Sequence, residues 1–296
     1  VKSSSADPVR SSAPGAHGHE AARHSTPPRG ILGLPDRLPY QVTRTQPSDE
    51  LRWCIDRFWT SAWQIPPGRA VTARVLPHPT VNLTLESGEL VITGVARGVF
   101  NRTLTGNDRV FGIKLRPGVA RLLIDIEVGA LSGQGQPAEA VMGLAAELAE
   151  QLRGCRRDRE RIAVTEALFG SRLAGPSAEL SLVQEAVAAL TSDPDVRRVR
   201  DVTGQLGVSE RTLQRLFADY LGLTPGWVLR RGRLHAAAER LIQLAASATS
   251  ERTALADVAA EFGYADQAHL TNDFTKIIGL PPASWLSTLI SEHPAG

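Results

Sequence analysis

Arg211, Gln214 and Arg215 lie within little more than one helical turn of each other, and Gln267, Ala268, Thr271 and Asn272 form a second such set further along the chain. The planar, multi-donor ends of Arg and Gln pair bidentately with guanine or adenine edges, and a Thr or Ala methyl can meet the methyl of thymine. Carried on helices, both sets suit base edges in a major groove. Arg211 suits a phosphate oxygen equally well, and Gln214 suits adenine or a phosphate. Arg230, Arg231 and Lys276 are cations placed between and just after the two sets, where neutralising phosphates is the expected work, although each is equally compatible with a solvated surface charge.

For such side chains to act, each set needs a helix with one free face. The segment DVTGQLGVSERTLQRLFADYLGLTP from Asp201 and the segment DVAAEFGYADQAHLTNDFTKIIGLPP from Asp257 supply them as one pattern written twice. Ser209 registers with Asp266, Leu213 with Leu270, Phe217 with Phe274, Gly222 with Gly279 and Pro225 with Pro282. One extra residue in the second turn takes up the slip at the front. Each copy reads as a short helix, a turn at Gly207 or Gly263, an N-cap at Ser209 or Asp266, and a second helix stopped by Gly222 or Gly279. That order is helix-turn-helix. Leu213, Leu216, Phe217 and Tyr220 recur at helical spacing, as do Leu270, Phe274 and Ile277, so one side of each second helix faces a core. The base-reading sets take the other side.

The two copies, the helix between them with Arg233, Leu234, Ala237, Arg240 and Leu241, and the ending GYADQAHLTNDFTKIIGLPPASW resemble the carboxy-terminal domain of AraC-type (AraC/XylS) transcription regulators over roughly residues 180–290. The resemblance implies a domain of about seven helices, with two recognition helices in successive major grooves held apart by a linker helix. Asn272 stands where the family usually has Arg. Residues 40–175 resemble, more loosely and chiefly in LPHPTVNL and VFGIKLRPG, the β-rich amino-terminal domain of a subset of these regulators. That implies a cupin-like barrel followed by helices, which in the family commonly serve dimerisation.

The strand pattern agrees. Short β-type runs begin at Ala70, Thr80, Glu89, Gly98 and Arg109, divided by turn residues at 77–79, 87–88 and 106–108. Val81, Leu83 and Leu85 alternate with Asn82 and Thr84, as in a half-buried strand, and so many short strands suggest a small barrel or sandwich. Ser48 with Asp49 and Glu50 looks like a helix start followed by helical spacing at Leu51, Cys54, Ile55 and Phe58, yet the aromatic cluster Trp53, Phe58, Trp59 and Trp63 could equally begin a strand. Helices are expected from Pro137 and from Glu160, serving either dimerisation or the domain core. Leu180 opens the first helix of the second domain, which should end near Asp193 and Pro194. The expected fold class is α+β, divided into a disordered tail at 1–38, a β-rich sensor or dimerisation domain at 39–175 and the double helix-turn-helix domain at 176–296. The tail is rich in Ser, Pro, Gly, Ala and His, and buries too little to offset its ordering entropy.

Composition narrows the function further. With 42% hydrophobic residues in 296, the chain can build ordinary cores. No apolar run approaches the length of a membrane span, and no signal-peptide core opens the sequence, so a cytoplasmic protein is expected; the AraC-type resemblance implies a bacterial one. Arginine supplies nearly all the positive charge, as in a GC-rich genome. Cys54 and Cys155 lack CxxC context and are expected to be free thiols. Residues 197–240 carry nine arginines against four acids, whereas residues 251–292 carry two bases against six acids, so phosphate attraction should come from the first copy.

Catalysis is not expected. The β-rich region offers only His78, in a turn between prolines, and neither a metal cluster nor a nucleophile with its base can be built from it. No cofactor and no metal is expected. Trp59 and Trp63 could wall a site for a small apolar or aromatic effector, or serve as core. The expected function is a sequence-specific DNA-binding regulator whose first helix-turn-helix dominates affinity; the alternative is an architectural DNA-binding protein or a co-regulator contacting RNA polymerase. Double-stranded DNA is the main partner, with RNA polymerase, a small-molecule effector and a second copy of the chain as further candidates.

Overall fold

A computed structural model describes residues 30–32, 40–131, 133, 135–193, 195–246 and 255–291. The sequence-predicted tail therefore lies almost entirely outside the described residues. The first half is β-rich: β1 (Tyr40–Thr45), β2 (Ile55–Gln64), β3 (Val71–Val75), β4 (Asn82–Glu86), β5 (Glu89–Thr93), β6 (Phe100–Leu104), β7 (Asn107–Leu115) and β8 (Gly135–Pro137). Six strands form one sheet in the order β1-β2-β7-β4-β5-β8, while β3 and β6 pair separately. Register sets the inner face: Phe58 and Leu83 both lie opposite Ile113, and Leu83 also lies opposite Ile92. All four are at most 1% exposed.

The α+β class is as expected, but among the described residues the strands do not close into a barrel. The hydrogen-bonded order leaves β1 and β8 as the edges of an open sheet, with the β3-β6 ribbon packed on its other face through Trp59, Trp63, Val71 and Leu104. Trp59 lies flat over Gly112, where an added Cβ would sit 2.1 Å from the indole. Trp63 is core, its indole N–H donating to the Thr105 carbonyl at 3.1 Å. The ambiguous stretch after Ser48 resolves as a single 3₁₀ turn, Asp49–Leu51, followed by strand β2. Pairing on both sides, with β1 and β7, favours the extended form for its aromatic and β-branched residues.

The rest is helical: α1 (Ala145–Gly154), α2 (Asp158–Arg172), α3 (Ala178–Ser192), α4 (Val199–Leu206), α5 (Glu210–Leu221), α6 (Pro225–Ala246), α7 (Leu255–Glu261), α8 (Gln267–Ile278) and α9 (Pro282–Ser291). Seven of these, α3 to α9, follow the β-rich half and its two trailing helices. The helix expected from Pro137 starts late, because Ala138–Ala140 forms a 3₁₀ turn before α1. Within the described residues no helix is long and apolar enough to cross a membrane.

The helices do not share one core. Val183, Val202, Leu213, Phe217 and Val228, from α3 to the start of α6, belong to a cluster continuous with the β-sheet core. Leu234, Leu241, Val258, Leu270, Phe274 and Trp285, from the rest of α6 to α9, form another, which takes in Leu76 from the β-rich half. Helix α6 runs through both.

Candidate nucleic-acid interface

Each half of the repeat has the local chemistry its sequence called for. The Ser209 side chain accepts from the Thr212 amide at 3.1 Å, starting α5, and the Asp266 carboxylate accepts from the His269 amide at 2.7 Å, starting α8. Both helices stop at left-handed glycines, Gly222 (φ 65°) and Gly279 (φ 88°). The preceding turns use Gly207 (φ 65°) and Gly263 (φ 71°), a conformation that costs a residue with Cβ about 1–2 kcal/mol. The carboxylate of Asp201 accepts from the amides of Arg197 (2.9 Å) and Arg198 (2.6 Å), which caps α4.

On α5 the buried stripe is Leu213, Leu216, Phe217, Tyr220 and Leu221, and Arg211, Gln214 and Arg215 are exposed. Arg215 is not idle. Its guanidinium pairs with Glu179 of α3 at 3.0 Å, and the same carboxylate accepts from the Tyr220 hydroxyl at 3.3 Å. No sequence signal within the repeat could have found Glu179, which lies outside both copies. On α8 the buried residues are Leu270, Phe274 and Ile278; Gln267, Ala268 and Asn272 are exposed and Thr271 is half-buried. His269 is also exposed, with its ring edge-on to Tyr264.

The expected phosphate contacts divide. Lys276 is exposed near the end of α8, and Arg230 is exposed on α6 with Asp273 of α8 at 3.7 Å. Arg231 is a correction: it is 1% exposed. Its guanidinium donates to the backbone carbonyl of Arg97 at 2.6 Å and lies 4.6 Å from the centre of the Trp227 ring. Burial lowers its pKa to about 10. A side chain so enclosed cannot meet a phosphate. Consecutive helix residues are about 100° apart, so Arg230 faces solvent while its neighbour is turned onto the β-rich domain.

Other candidates settle as packing. His78 stacks on His235 of α6, ring centres 4.1 Å apart, and the two cysteines are free, Cys54 buried and Cys155 half-buried. Among the described residues, no three His, Cys, Asp or Glu side chains come together as a metal site.

Residues 202–288 match a family described as a helix-turn-helix domain, over both copies and the helix joining them. The carboxy-terminal domain is an AraC-type helix-turn-helix domain. Residues 43–137 match a second family, described as a domain of unknown function (DUF6597). Similar solved structures include ToxT from Vibrio cholerae, with 11% identity, a TM-score of 0.36, and coverage of 85% of this chain and 99% of that one. Wild-type ToxT bound to an unsaturated fatty acid gives 11% identity and a TM-score of 0.36, covering 85% and 95%.

Proposed function

We propose that the AraC-type domain, over residues 176–296, reads a specific DNA sequence, with residues 39–175 serving to sense a signal. The supporting observation is that both capped helices leave a polar face open at their amino-terminal ends: Arg211 and Gln214 on α5, Gln267, Ala268 and Asn272 on α8. The amino-terminal end of a recognition helix is where helix-turn-helix proteins contact base edges. Arg211 and Arg215 take guanine edges and Gln214 adenine or a phosphate, and Gln267, Thr271 and Asn272 read the second half-site. Arg230 and Lys276 neutralise phosphates. Arg215 must leave Glu179 to do so, and that exchange adds a cost at one base position.

The charge imbalance between the two copies supports an α5-led affinity. Helix α8 then adds discrimination, with no arginine in its exposed set. Selection of bound sites from random DNA by the full chain should recover two unequal half-sites. Against the selected site, Arg215→Ala should cost about 1–3 kcal/mol and relax one position, and Asn272→Ala should cost less. Equal losses for the two would refute the asymmetry. A selection that returns no motif at fixed salt would favour shape-only binding instead.

A further inference from the structure

The two helix-turn-helix units have separate cores, joined covalently by α6 and each fused to a different part of the β-rich domain. That domain touches both recognition helices, and it does so at their carboxy-terminal ends. At the end of α5, Gly222 packs backbone to backbone on Gly129, so closely that a Cβ on Gly222 would lie 2.3 Å from the Gly129 Cα. One turn earlier, Asp219 pairs with Arg121 at 3.1 Å. At the end of α8, Arg74 of β3 donates to the carbonyl of Ile278, the last residue of the helix, at 2.9 Å. The final carbonyls of a helix have no partner within it and carry its negative pole, so a guanidinium there is doubly favourable. Between these points the domain also holds α6, through the Arg231 bond to the Arg97 carbonyl and through His235 against the Pro77 carbonyl at 3.1 Å.

We propose that the β-rich domain is a two-point clamp that sets the separation of α5 and α8, and with it the half-site spacing the protein accepts, with Arg74 and Arg121 as positioning residues. The inference rests on the DNA-reading function proposed above. A helix gripped at its far end keeps its base-reading end free while its direction is fixed. Linker helix α6 passes from one core to the other, with Gly232 packed on the backbone of Leu190 and Thr191 between them, and the β-rich domain adds a second connection beside it. Half-sites on duplex are about 10–10.5 base pairs apart for each turn, so one added base pair swings the second site by roughly 34°. A rigid pair of helices cannot follow that swing, whereas a loosened pair can.

The test uses the full chain, the selected DNA site, and versions of it with one or two base pairs added or removed between the half-sites. The wild-type protein should lose about tenfold or more in affinity for each displaced base pair, on the scale of a mismatch. Arg74→Ala should flatten that profile to a few-fold while leaving affinity for an isolated first half-site unchanged, and Arg74→Lys, which keeps a donor for the Ile278 carbonyl, should restore it. Arg121→Ala, at an exposed position that does not endanger folding, should flatten it too. A wild-type spacing profile in both alanine variants would overturn the clamp while leaving DNA reading intact. Absence of any sequence preference in the wild-type protein would overturn DNA reading, and the clamp with it.

Discussion

Arg230 and Arg231 are neighbours in sequence with opposite environments. Arg230 keeps its charge in water beside Asp273, while Arg231 gives up hydration for one backbone carbonyl and the face of Trp227. Its Nε and Nη1 have no hydrogen-bond partner among the described residues. Titrations of DNA affinity against salt should separate the two kinds of cation. Lys276→Ala should reduce the slope by about 1, and Arg231→Met should leave it unchanged. A reduced slope for Arg231→Met would mean that the guanidinium reaches the duplex. A second charged group makes stability depend on pH. Asp56 lies between Lys114 (3.2 Å) and Arg57 (2.8 Å) on the sheet. Burial raises its pKa, but the two cations outweigh that and hold it below the usual carboxylate range. Burial is also the largest influence on Lys114, lowering its pKa against the opposing pull of Asp56. A depressed carboxylate stabilises the fold above its unfolded pKa, and that contribution disappears as the pH falls through the folded value. Asp56→Asn should therefore unfold at lower denaturant than wild type at neutral pH, with the gap narrowing as the pH falls below the unperturbed aspartate value of about 3.9.

At the scale of elements, the caps and stops carry the repeat. Replacing Ser209 or Asp266 by Ala removes the acceptor for an amide at the start of α5 or α8, and each should cost about 1 kcal/mol in chemical denaturation. Gly222→Ala should cost more than the roughly 1–2 kcal/mol of a left-handed residue, because the new Cβ also meets the Gly129 backbone. A loss no greater than that for Gly279→Ala, which has open space around it, would show that the interface yields freely. The helices were legible from 3.6-residue periodicity and from Ser, Asp and Gly at their ends. Strands β3 to β7 were legible from alternation and turn residues. Strand β1 was not, since YQVTRT buries only its first residue fully and alternates weakly. The stretch from Ser48 to Phe58 fits a helical and an extended pattern alike, and only pairing with β1 and β7 selects the strand.

For the molecule as a whole, the division into two cores has a measurable consequence. Leu270 is fully buried in the second cluster and Leu213 in the first. Leu270→Ala should cost about 2–5 kcal/mol and speed amide exchange through α7 to α9, leaving α4 and α5 protected. Equal acceleration in both repeats would mean that the clusters unfold as one unit. The charge distribution works at this scale too, since the arginine-rich segment 197–240 contains α4 and α5 while the acidic segment 251–292 contains α7 and α8.

The repeat, its caps and the polar sets on its helices were determined by the sequence alone, because period, capping and glycine stops act over a few residues and leave their mark in the order of side chains. Tertiary structure decided what those residues meet. It buried Arg231, paired Arg215 with Glu179, kept the sheet open and brought Arg74 and Gly129 against the ends of two helices far along the chain. Each of these depends on partners distant in sequence, whose meeting is set by the packing of whole elements and by no local pattern.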